Sequence, residues 1–102
     1  SLSDCNFTNS TDLLTFKINN IGNQVLNGDF NIVLDDGNTA IVRAYYTQNL
    51  DRGTFGIVDS SNSTTYVLTS GTMNQLSKIG TLRVISSDCP NQYRDLTTCT
   101  NN

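Results

Sequence analysis

The sequence has no His, no Glu and no Trp, one Pro, one Met and only two Ala, Ala40 and Ala44. Without His or Glu, general acid–base work falls to Asp, Tyr, Lys or Cys, and no spacing in the chain pairs them, so a non-enzyme is expected. The absence of His and of any Cys-x-x-Cys removes the usual zinc patterns and leaves a cysteine nucleophile without its base. With Ala scarce and Glu missing, the good helix formers are nearly gone.

Basic residues are also few. Six Lys and Arg stand against nine Asp, for a net charge of −3, and they are scattered, so the surface repels phosphate backbones and nucleic acid is not expected as a partner. No apolar run approaches the roughly 20 residues that span a bilayer. There is no signal peptide, and the chain reads as a mature form or an excised domain.

What is abundant is Asn, Thr and Ser, together with β-branched and aromatic residues in short alternating runs. That composition predicts an all-β protein, and the 102-residue length predicts a single domain, residues 1–102, with a thin core. Residues 1–11 read as a polar N-terminal lead, frayed or tethered by Cys5. From Leu13 the pattern alternates, with Leu14, Phe16 and Ile18 on one face. Gln24 to Leu26 reads as a short strand piece, with Asn27-Gly28 a two-residue turn into the next strand.

The central signal is Phe30 to Tyr46, where two apolar runs flank Asp35-Asp36-Gly37 as a β-hairpin. A two-residue loop at Asp36-Gly37 would bury Arg43 against Phe30, Ile32 and Leu34 at a cost of several kcal/mol. A three-residue loop, Asp35 to Gly37 with Gly37 left-handed, turns Arg43 outward instead. That register leaves Val33, Ile41 and Tyr45 as an apolar stripe on the opposite face. The stripe is either a covered or ordinary surface, or a protein interface. Tyr46 is expected in the core and Tyr45 outside.

Further strands are predicted at Thr54 to Val58, with a bulge at Gly56, at Thr64 to Thr69 and at Ile79 to Ser86. Met73 to Lys78 reads as a loop or single helical turn anchored by Leu76. About seven short strands with Gly- and Asn-rich turns predict an immunoglobulin-like antiparallel β-sandwich, followed by a Cys-bearing tail over residues 87–102.

Cys5, Cys89 and Cys99 favour a disulfide. The local pair Cys89–Cys99 would staple the tail, whereas Cys5 bonded to Cys89 or Cys99 would pin the two termini together; pairing between chains and a fully reduced state stay open. Asn6, Asn9 and Asn62 open N-glycosylation sequons, and with the cysteines they point to an extracytoplasmic setting. Asp35, Asp36 and Asn38, or Asp51 and Asp59, offer hard oxygen ligands, but the calcium-loop pattern is not met, so no metal and no cofactor is expected. Tyr45, Tyr46 and Tyr93 leave a sugar-stacking role open.

Leu14-Thr15-Phe16-Lys17-Ile18-Asn19-Asn20-Ile21-Gly22, then Leu26 and Ile32-Val33-Leu34-Asp35-Asp36-Gly37, resemble the opening of the β-sandwich domains of the archaeal archaellum and type IV pilus-like proteins. Leu68-Thr69-Ser70-Gly71, Leu76, Gly80 and Leu82-Arg83-Val84-Ile85-Ser86 are similar to their penultimate loop and closing strand. The family's N-terminal hydrophobic helix is not present, and the Cys-bearing tail departs from its pattern. The resemblance implies a stator-type accessory domain like accessory proteins F and G. Such a domain is carried on a membrane anchor upstream of Ser1 in the pseudo-periplasm or at the cell surface. It would hold the motor against the surface layer or a sister accessory protein, with self-association as a further option. The alternative is a pilus or archaellum filament subunit, or an adhesin.

Overall fold

A computed structural model describes residues 1–102. It is a β-sandwich of two sheets, with nine short strands where about seven were expected. Strand β1 covers Leu2–Thr8, β2 Leu13–Asn19, β3 Phe30–Asp35, β4 Ile41–Tyr46, β5 Phe55–Asp59, β6 Tyr66–Ser70, β7 Thr81–Ser86, β8 Arg94–Leu96 and β9 Thr100–Asn101. One sheet has the order β5-β2-β1-β9 and the other β6-β4-β3-β7-β8. All neighbours are antiparallel except β1 and β9.

The alternation that makes each strand also makes the core. Leu14, Phe16 and Ile18 of β2 point inward, as do Phe30, Ile32 and Leu34 of β3 and Val42, Ala44 and Tyr46 of β4. These meet Phe7, Val58, Leu82 and Val84 from the remaining strands in a single apolar cluster. The intervening Lys17, Arg43 and Arg83 stay at the surface, where a charge costs least. Met73–Gln75 form a single 3₁₀ turn, and Leu76 beside it is buried as expected.

The hairpin keeps the predicted facing but not the predicted length. Pairing runs from Phe30↔Tyr46 to Asp35↔Ile41, so Arg43 lies opposite Val33 and away from the core. The loop therefore occupies residues 36–40 rather than the three residues Asp35 to Gly37. Gly37 is left-handed, with φ of 83°. The Asp35 and Asp36 carboxylates accept the N–H groups of Gly37 and Asn38, and the Asp35 carbonyl accepts from Gly80 N–H at 2.7 Å. The approach of Gly80 to the loop, where a Cβ would stand 2.9 Å from Gly37 N, holds the wider turn in place.

Four further expectations are corrected. Residues 1–11 are not a frayed lead: β1 lies between β2 and β9 and buries Cys5 and Phe7. A bulge between Ser3 and Asn6, with Asp4 at φ 54°, breaks the alternation that would have announced it. The segment before β3 is not a hairpin arm; Leu26 makes one bridge to Leu50, and Gly28 N–H donates to Asn49 Oδ1 at 2.7 Å. Gly56 carries no bulge, since β2 and β5 pair in unbroken register; it is small because Tyr46 and Leu50 fill the space beyond it.

The remaining correction concerns the cysteines. The disulfide joins Cys5 to Cys99 across 94 residues, and Cys89 is a free, exposed thiol, so the Cys89–Cys99 pair is not formed. The parallel pairing of β9 with β1, Asn6 opposite Thr100, brings the two cysteines together. The tail over residues 87–102 thus belongs to both sheets, through β8 and β9.

Candidate binding surface

Strands β3, β4, β6, β7 and β8 present one broad outer face, and Val33, Ile41 and Tyr45 all lie on it. Tyr45 stands opposite Asn31 on one side and Val67 on the other, and Asn31 stands opposite Ile85. A row of Val67, Tyr45, Asn31 and Ile85 therefore crosses four strands. The next row is Arg43, Val33, Arg83 and Asp95. Val33 and Tyr45 are half-buried, whereas Ile41 is 50 % exposed. Alternation sends Tyr46 the other way, into the core, where its ring lies 6.2 Å from that of Phe30 and burial raises its pKa.

Charge on this face is ordered at one side and free at the other. Arg83 grips Asp95 with two hydrogen bonds, Nε to Oδ1 at 2.7 Å and a second to Oδ2 at 2.9 Å, and its guanidinium stacks 4.0 Å from the Tyr93 ring. The Arg83 hydrogen bond holds the Asp95 carboxyl below its ordinary range, and the same bond raises Arg83. Arg43 makes no ion pair; the two in the molecule are Arg83–Asp95 and Lys17–Asp4. The face combines a largely apolar row, broken by the exposed Asn31, with the unpaired Arg43 beside it, a composition suited to a protein partner.

The other predicted residues lie elsewhere. Asn6, Asn9 and Asn62 are exposed on β1, the turn after it and the β5–β6 loop. Asn62 Oδ1 accepts from the Thr64 hydroxyl at 2.9 Å. Asp35, Asp36 and Asp59 each cap a turn with their carboxylates, and no three His, Cys, Asp or Glu side chains gather as a metal-binding group. No helix is long and apolar enough to cross a membrane.

Two features escaped the sequence reading. Between the sheets a cleft of about 290 Å³ has Leu2, Ile18, Leu26, Phe30, Cys89 and Tyr93 among its lining residues. On the four-stranded sheet, Phe55 and Ile57 of β5 are 53 % and 56 % exposed. The second was visible in principle: Gly56 and Val58 turned inward force Phe55 and Ile57 outward. Compared with known protein families, curated proteins and solved structures, the chain matches none.

Proposed function

We propose that this domain is a non-catalytic extracytoplasmic binding module that holds a protein partner on the outer face of its five-stranded sheet. The observation that carries the reading is Val67 beside Tyr45, with Ile85 across the exposed Asn31 in the same row, Ile41 exposed and Arg43 unpaired beside it. Such a face offers apolar anchors, a cation for orientation and a scaffold of five paired strands that resists shear. The Cys5–Cys99 disulfide fits an oxidising compartment. In its finer form, the reading is that of an archaellum stator-type accessory domain that anchors a motility motor against the surface layer. Support for that form comes from the short motifs from Leu14 to Gly37 and from Leu68 to Ser86 alone.

Ile41→Asp tests the face. Because Ile41 is half exposed and outside the core cluster, the variant is expected to keep its circular dichroism and melting temperature. Its affinity for isolated surface-layer protein, read by surface plasmon resonance, is expected to fall by about tenfold or more. Equal affinity of the two proteins would remove this face from the function, and no binding by either would remove the surface layer as the partner.

A further inference from the structure

The sandwich has four sheet edges, and they are not protected alike. Strand β9 has two residues and β8 three, too short to template another chain. Strand β6 is interrupted by a register shift against β4 between Arg43 and Ala44. Strand β5 has five residues in unbroken register with β2, and it contains no Pro, Lys or bulge. Backbone groups of Thr54 and Ser60 bond to β2, through Asn20 N–H to the Thr54 carbonyl and Ser60 N–H to the Leu14 carbonyl. Alternation then turns the backbone N–H and C=O groups of Phe55 and Ile57, and the Asp59 N–H, toward open solvent. Two of these three residues, Phe55 and Ile57, also carry exposed apolar side chains.

We propose that β5 pairs antiparallel with β5 of a second copy of this chain, about a two-fold axis through Ile57, to make one continuous sheet across the dimer. It concerns the opposite sheet from the partner-binding face and stands independently of that reading. Self-pairing is singled out by complementarity within the strand. An antiparallel two-fold places Ile57 opposite Ile57 and Phe55 opposite Asp59. The Lys17 ammonium of the neighbouring β2, which also pairs with Asp4 at 3.2 Å, lies 4.5 Å from the centroid of the Phe55 ring. The incoming Asp59 carboxylate, directly across from Phe55, therefore arrives beside a cation, and symmetry repeats the contact. Burial removes Phe55 and Ile57 from water, where the isolated domain leaves more than half of each exposed.

Sedimentation velocity over a concentration series, with amide hydrogen exchange on the same samples, tests the proposal. The expected result is a monomer–dimer equilibrium, with the amides of Phe55, Ile57 and Asp59 gaining protection as dimer forms. Ile57→Lys, an exposed substitution that leaves the core untouched, is expected to weaken the dimer by about tenfold or more. Asp59→Asn keeps the acceptor for Ser61 and loses the charge, so it is expected to weaken the dimer by roughly two- to tenfold and to flatten its salt dependence. A chain that stays monomeric throughout overturns the proposal. So does a dimer that survives Ile57→Lys, or one in which the three amides exchange as fast as in the monomer.

Discussion

Replacing Cys5 and Cys99 together by Ala is expected to lower the melting temperature by roughly 10–20 °C, while Cys89→Ser leaves it unchanged. The size of the effect follows from the length of chain that the bond closes. A cross-link over 94 residues removes about 4.5 kcal/mol of loop-closure entropy from the unfolded state, and native bonds in small domains are worth roughly 2–5 kcal/mol. Nothing else ties the last strand as firmly: β9 is two residues long and pairs with β1 alone. Its remaining anchors are the Asn101 side chain, which accepts from Ile79 N–H at 2.7 Å and donates to the Ile79 carbonyl at 3.3 Å, and Asn102, whose N–H donates to the Phe7 carbonyl at 2.8 Å and whose carbonyl accepts from Asn9 N–H at 3.0 Å. Calorimetry of the oxidised and reduced protein reads the shift, and peptide mapping without reduction should recover Cys5 joined to Cys99 with one free thiol at Cys89. An equal loss of stability in Cys89→Ser would mean that the tail is stapled locally instead.

The same bond marks where reading from sequence stops. The facing of the hairpin was legible because one residue decides it: Arg43 cannot sit against Phe30 and Leu34, and the structure turns it outward. The inward sets of β2, β3 and β4 followed from alternation in the same way. The hairpin's loop length was not legible, because it depends on Gly80, more than forty positions away, packing against Gly37. Nor was the disulfide partner, since nothing local says that β1 and β9 lie side by side. β1 was hidden for a local reason, the bulge at Asp4 that puts Leu2 out of step with Cys5 and Phe7. At the candidate surface, Val33, Ile41 and Tyr45 were found together because they share one hairpin. Their neighbours Val67 and Ile85 come from distant strands and appear only once the sheet order is known.

A second large effect is expected from Asn20→Asp, and its size depends on pH. Asn20, the residue after β2, is 4 % exposed and ties three segments together. Its amide nitrogen donates to the carbonyls of Gln24 at 2.8 Å, Leu50 at 3.1 Å and Asp51 at 3.2 Å, and its Oδ1 accepts from Gly22 N–H at 3.1 Å. Its backbone N–H bonds to the Thr54 carbonyl, which sets the entry to β5 and hence the edge proposed to pair. An ionised carboxylate in this place has only acceptors, and it would face three carbonyl oxygens without a proton between them. The folded state therefore disfavours ionisation and raises the new carboxyl's pKa above its unfolded value near 3.9. Below that value the acid is neutral in both states and still donates one hydrogen bond, so the variant loses roughly 1–2 kcal/mol. As pH rises past about 4 the unfolded chain ionises while the folded one resists. The deficit against the parent then widens to roughly 3–4 kcal/mol by pH 7. Asn20→Ala, which removes the donors without adding charge, should show a deficit of about 2 kcal/mol that does not change with pH. Urea unfolding of the three proteins at pH 3 and pH 7 measures both gaps. A deficit for Asn20→Asp that stays constant or narrows with rising pH would show that the three carbonyls do not converge on this side chain.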